Sequence, residues 1–228
     1  MALCRSAHRL FALTAAAAAL MSASSARASF ITDTAFFNTL PTTLITFEAD
    51  GAGNPITLIQ GQRLAMPSNA YATQGVNFSG TNLSWVNDGN SAFDAAQLLE
   101  GSAVNSIPSS LCNQFTLTFN VPVQAFAFFV ANNRTADPTG PTMVARDING
   151  NILDTATWGA KFIDGTITSP NTTADYGIMG IYSPTNIASV TITKQAAIFD
   201  DLRFSPVPAP GALALTAAGA LVTLRRRR

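Results

Sequence analysis

Phe115-Thr116-Leu117-Thr118-Phe119-Asn120-Val121, then Pro122, then Val123-Gln124-Ala125-Phe126-Ala127-Phe128-Phe129-Val130-Ala131: this stretch sets the fold class. Its first half alternates apolar and polar side chains, the period of a strand with one face buried. Proline cannot donate to a strand ladder, so Pro122 predicts a break. The second half is almost wholly apolar, as expected of a central strand covered on both faces.

Downstream the same grammar repeats. Thr142 to Arg146 and Ile152 to Thr157 flank Asp147-Ile148-Asn149-Gly150-Asn151. Asn-Gly tolerates the positive φ that tight turns between twisted strands require, which predicts a hairpin. Phe162 to Thr168, Tyr176 to Tyr182, Ile187 to Thr193 and Ile198 to Phe204 read as further strands. Upstream, Leu44 to Glu48 and Gly75 to Ser79 are strand-like, with Leu83 to Val86 as a hairpin partner for the latter. Ile56 to Leu64 reads as a strand or an irregular excursion, and Ser91 to Gly101 as a short turn. Thr32 to Leu40 reads as a short helical or irregular lead-in. About ten strands and no helix long enough for a βαβ crossover predict two packed antiparallel sheets.

The two ends differ from this body. Arg5, His8 and Arg9 precede the apolar run Leu10 to Met21, and Ala26-Arg27-Ala28 supplies the small-x-small pattern that signal peptidase reads, with Ser29 as the new N-terminus. At the other end Val207-Pro208-Ala209-Pro210 precedes the apolar run Gly211 to Leu224 and Arg225-Arg226-Arg227-Arg228. The predicted organisation is a signal helix over 1–28, a lead-in over 29–43, a β-sandwich over 44–206 and a membrane-type helix with flanks over 207–228. The apolar run has 14 residues and would be about 21 Å long as a helix, against about 30 Å of hydrocarbon. Snorkelling arginines narrow that gap and hold the end cytoplasmic by the positive-inside rule.

Charge and composition exclude several function classes. Of 13 basic residues, three leave with the signal and four lie in the tail, so six remain against 13 acidic ones. The exported body is therefore acidic, which argues against nucleic acid as a partner. The single histidine, His8, leaves with the signal. The mature chain thus has no His for a Ser-His-Asp or Cys-His nucleophile system or for a His-ligated metal. Cys4 leaves too, so Cys112 is the only remaining thiol and no internal disulfide forms.

The carboxylates that stand out are Asp200 and Asp201 in Ile198-Phe199-Asp200-Asp201-Leu202-Arg203-Phe204. Period two puts Asp200 on the face of Ile198, Leu202 and Phe204. If that face is the core, Asp200 needs a partner or a metal. Glu48 and Asp50 end the first strand, and with Asp200 and Asp201 they form a candidate oxygen-rich Ca²⁺ site. The alternative is backbone hydrogen bonding for Asp200 and solvation for Asp201. Asp147, Asn149, Asn151 and Asp154 resemble a calcium loop in composition, but a turn already explains them. Asp164 and Asp175 are expected to be solvated. Trp85 and Trp158, with Tyr71, Tyr176 and Tyr182, are candidates for a sugar-stacking platform, or else residues at the edge of the core. No motif singles out a pair of catalytic carboxylates, so no enzymatic activity is expected and a glycan-active enzyme is a remote alternative.

The Pro-x-Pro break, the apolar run and the Arg cluster at the C-terminus, paired with a signal peptide, resemble the PEP-CTERM sorting signal of exported bacterial proteins. The usual Glu between the prolines is Ala209 here. The resemblance implies transient anchoring in the inner membrane, processing by an exosortase-type membrane protease, and a destination at the cell surface or in a biofilm matrix of extracellular polysaccharide. The body, from Thr46-Phe47-Glu48 through Tyr71 and Gly75 to Ser79 to Phe199-Asp200-Asp201-Leu202, looks like the sandwich modules common in such proteins. That likeness implies a jelly-roll, lectin-like or carbohydrate-module-like domain. Two functions follow from it: a non-enzymatic surface or matrix component, or a specific binding module for exopolysaccharide.

Overall fold

The computed structural model describes residues 28–59, 62–81, 83–86, 103–104, 114–169, 172–194 and 196–207. The predicted signal helix and membrane-type helix, Cys112 and the turn expected at Ser91 to Gly101 lie outside them. Among the described residues no helix is long and apolar enough to cross a membrane.

The chain forms the strands β1 (Ser29–Ile31), β2 (Thr43–Ile45), β3 (Arg63–Ala65), β4 (Val76–Gly80), β5 (Ser84–Val86), β6 (Ala103–Val104), β7 (Gln114–Asn133), β8 (Thr142–Arg146), β9 (Ile152–Thr157), β10 (Gly165–Ser169), β11 (Thr172–Thr193) and β12 (Ala197–Pro206). Three short 3₁₀ turns, Thr34–Thr39, Ala72–Gln74 and Ala160–Phe162, are the helical pieces among the described residues. Every described strand pair is antiparallel. The main path runs β3-β5-β6-β12-β7-β11-β8-β9, with β1 and β10 on β11, β2 on β12 and β4 on β7.

Two strands carry the architecture. The expected break at Pro122 is a bend inside a single strand, because β7 runs on through it for 20 residues. The expected strands at Tyr176 to Tyr182 and Ile187 to Thr193 are likewise one strand, β11, whose pairing with β7 shifts register between Tyr182 and Ile187 and again before Ser189. A straight β7 would place Phe115 about 50 Å from Val130. Phe115 instead packs its ring 5.4 Å from Phe199, the register partner of Val130. The sheet therefore folds back on itself at Pro122 and Ser183 to Asn186, giving two facing layers. Phe119 bridges them, at 6.4 Å from Phe126 and 5.3 Å from Phe204. One core cluster draws on both layers, including Leu117, Met143, Val190, Phe128, Met179 and Leu202.

The hairpin at Asp147 to Asn151 forms as expected, joining β8 to β9. Asp147 Oδ1 accepts from the backbone N–H of Asn149 and Asn151, and Oδ2 from Asn151 Nδ2. Gly150 supplies φ +83°. Leu83 to Val86 does not pair with Gly75 to Ser79, since β5 bonds to β3 and β6 while β4 bonds to β7. The lead-in is more ordered than expected. β1 adds to β11, and the Thr34–Thr39 turn, capped by Asp33 Oδ1, packs Phe37 on the side of β7 away from the main core.

Candidate functional site

The last strand departs from period two where it matters. Phe199, Leu202 and Phe204 belong to the main core, whereas Ile198 packs with Ala131 and Ala174 on the opposite, outer face. Asp200 pairs in register with Phe129, and the ladder shifts between Asp200 and Arg203. Asp201 is the extra residue, a β-bulge with φ +49°. The bulge resets the alternation, so Asp200 leaves the face of Leu202 and Phe204 on which simple alternation placed it.

Asp200 is nonetheless 6 % exposed. Burial pushes its carboxyl up to about 8, and the charges of Asp201 and Glu48 push the same way. The Asp201 N–H that donates to Oδ1 (2.7 Å) and the Arg203 guanidinium oppose the rise. At neutral pH this carboxyl is chiefly a neutral acid. Each of the other three members of the expected Ca²⁺ site has its own surroundings. Asp50 closes its own turn, with Oδ1 accepting from the N–H groups of Ala52 and Asn54 and Oδ2 from Asn54 Nδ2. Asp201 Oδ2 takes a 3.0 Å ion pair from Arg203. Glu48 is exposed. Among the described residues no three His, Cys, Asp or Glu side chains come together as a metal-holding group.

Both tryptophans are core residues. Trp85 is 4 % exposed and donates from Nε1 to Tyr71 Oη (2.8 Å), which donates in turn to the Ala49 carbonyl (2.9 Å). Tyr71 is fully buried, edge-on to Phe47, Phe78 and Trp85. Trp158 is 8 % exposed and stacks on Phe162 at 6.2 Å. Neither indole offers an open face, which removes both, and Tyr71 with them, from the platform. Asp175 is buried rather than solvated: it accepts from Thr166 Oγ1 (2.7 Å) and pairs with Arg134 (3.4 Å).

Aromatic surface survives elsewhere, on the outer face of β7 and β11. Tyr176, Tyr182, Phe129 and Phe36 are all partly exposed there. Tyr176 pairs with Gly165 of β10 on one side and Ala131 of β7 on the other. A Cβ at Gly165 would lie 2.5 Å from Tyr176 Cζ and collide with its hydroxyl. The phenol thus lies across the glycine, one face on the sheet and the other turned outward. Phe129 sits 6.3 Å away, tilted by only 31°. The two rings form a shallow shelf beside Ala131, Ala174 and Ile198. Tyr182 packs on Phe36 further along the same face, at 5.5 Å.

Tyr176 and Tyr182 were legible as candidates in the sequence, whereas Phe129 was hidden inside an apolar run. The signal was there in Phe128-Phe129, because consecutive large rings in a strand must point to opposite faces. Phe128 fills the core and Phe129 faces out.

No protein-family model and no curated protein sequence matches this chain. Among solved structures it resembles a family 29 carbohydrate-binding module, at 9 % identity over 73 % of this chain and 90 % of that one, with a TM-score of 0.32. It also resembles CsCBM6-3 from Clostridium stercorarium in complex with cellobiose, at 16 % identity over 67 % and 100 %, TM-score 0.32. A third is CpGH89CBM32-4 of Clostridium perfringens in complex with GlcNAc-α-1,4-galactose, at 15 % identity over 58 % and 90 %, TM-score 0.31. Likeness this distant transfers neither a ligand nor an activity to this chain.

Proposed function

We propose that the protein is an exported, non-catalytic glycan-binding module with a lectin-like sandwich, which engages exopolysaccharide through the outer face of β7 and β11. The observation that supports this most directly is the Tyr176 ring lying across Gly165 with Phe129 beside it. A flat ring with one face on the sheet and one outward is suited to stack on the apolar face of a pyranose, at little entropic cost because the ring is already held. The signal peptide ending at Ala28 and the sorting signal from Val207 to Arg228 make signal peptidase and an exosortase-type protease the processing partners. They also make the inner membrane a transient station.

A glycan array of the exported body, wild type against Tyr176→Ala and Phe129→Ala, tests the proposal. Loss of one stacking ring is expected to weaken binding about tenfold, the equivalent of roughly 1.4 kcal/mol. Trp85→Ala and Trp158→Ala are expected to lower stability without selectively lowering affinity. Absence of binding by the wild type to any polysaccharide would leave the other reading, a surface or matrix component with a structural role.

A further inference from the structure

The chain enters and leaves the sandwich at the same place. Ser29 opens β1 opposite Tyr182, which itself pairs with Ala125. Pro206 closes β12 opposite Val123, and the Val207 N–H donates to the Pro122 carbonyl at 3.2 Å. The strand order β1-β11-β7-β12 puts the two exits three strand spacings apart, about 15 Å. Both flank the bend of the sheet at Pro122 and Ser183 to Asn186. The apolar run of the tail starts at Gly211, only four residues, Val207 to Pro210, beyond this point. Four residues span at most about 14 Å. As long as the tail is in a bilayer, the bend cannot be further from the lipid than that.

The bent end carries two exposed apolar side chains among exposed polar ones such as Asn120, Thr185 and Asn186. Val121 beside Pro122 is 60 % exposed, and Phe30 beside Ser29 is 40 % exposed, with Lys161 Nζ 3.4 Å above its ring. Phe30 and Val121 offer apolar surface to the acyl boundary, and Lys161 offers a cation to lipid phosphate. We propose that the bent end is a membrane-docking surface, with Val121, Pro122 and Phe30 against the lipid of the membrane that holds the tail. This rests on the reading of Gly211 to Arg228 as membrane-inserted. The consequence for the glycan shelf is geometric. Tyr176 lies six residues along β11 from Tyr182, about 20 Å from the bend, so docking stands the shelf off the membrane and leaves it open to polymer.

The test uses the mature chain, Ser29 to Arg228 with Cys112→Ser, in phosphatidylethanolamine–phosphatidylglycerol vesicles carrying a headgroup quencher. A fluorophore is placed at Thr185→Cys in the bend, or at Ala136→Cys in the turn after β7. Quenching several-fold stronger at residue 185 than at residue 136 is expected. Equal quenching at the two positions, or stronger quenching at 136, would overturn the docking. Val121→Asp is expected to lower quenching at 185 while the chain still floats with the vesicles. If it does not, the linker alone sets the distance and the contact is refuted. A chain that fails to float overturns the tail reading and the docking together, whereas glycan binding by the soluble body is measured without vesicles and stands or falls by itself.

Discussion

Asp200→Asn isolates a buried carboxyl whose titration is strongly raised. The Asp200 carboxyl moves from 3.8 to about 8 on folding, chiefly because burial disfavours its charged form. The folded state thus binds its proton more tightly than the unfolded state. The sign follows from linkage: stability falls with pH wherever the native state holds more protons. The contribution is fully present below about 4, is lost as pH rises through about 8, and is flat above. Within that window the slope approaches about 1.4 kcal/mol per pH unit, so the loss between pH 5 and pH 7 is at most about 3 kcal/mol. Asn keeps an oxygen that can accept from the Asp201 N–H and does not titrate. Urea unfolding of the exported body at pH 5, 6, 7 and 8 is the assay. The wild type is expected to lose stability across the series, and Asp200→Asn to be flatter and the more stable of the two at pH 8. Parallel curves for the two proteins would refute the buried neutral acid. So would a rise in wild-type stability with Ca²⁺ at pH 7 that Asp200→Asn abolishes, because Asp200 would then be a ligand.

Other perturbations test the packing around it. Tyr71→Phe removes the acceptor for Trp85 Nε1 and the donor to the Ala49 carbonyl, and leaving a buried indole N–H and a part-buried carbonyl unpaired should cost about 2–3 kcal/mol in unfolding free energy. Unchanged stability would mean the chain of hydrogen bonds is unimportant. Asp201→Val forces a β-branched residue to φ +49° and should destabilise by about 1–2 kcal/mol. Asp201→Gly relieves that conformation and loses only the ion pair to Arg203, so it should stay close to wild type. Calorimetric scans of the two variants separate them, and equal melting temperatures would place the cost elsewhere than in the backbone.

Much of the fold was legible because most of the chain obeys one rule, alternation at period two. The β8–β9 hairpin and the antiparallel class follow from it directly, whereas the expected double burial of Val123 to Ala131 holds at Ala125, Ala127 and Ala131 but not at Phe129, which is partly exposed. The failures share a cause: they lie where the backbone leaves regular strand geometry. At Pro122 the missing donor was read as an end of pairing, yet proline is tolerated within a strand at a bend, where the ladder is already interrupted. Its carbonyl still accepts from Val207. At Asp201 one extra residue shifted the phase, and every face assignment made across it was inverted, including that of Asp200. Pairing between Leu83 to Val86 and Gly75 to Ser79 failed for a different reason, since short-range hairpins compete with long-range partners that local patterning does not specify.

The same irregularities account for where the candidate function lies. Alternation ranks aromatic residues by how apolar their neighbours are, and so favours tryptophans near strand ends as exposed platforms. Burial is decided instead by which layer the bend of β7 and β11 brings opposite them. Folding the sheet at Pro122 encloses Phe115, Phe119, Phe126 and Phe128 between layers, with Trp85 and Trp158 part of the same core. Rings on the other face of the folded strands, Phe129 and Tyr176, face no second layer among the described residues and stay partly exposed. A variant that straightens β7, such as Pro122→Val, therefore bears on both properties at once. If the bend defines the core, it should lower stability and shelf affinity together. Loss of stability with unchanged affinity in the folded fraction would show that the shelf is specified locally, by Gly165 and the β10–β11 pairing alone.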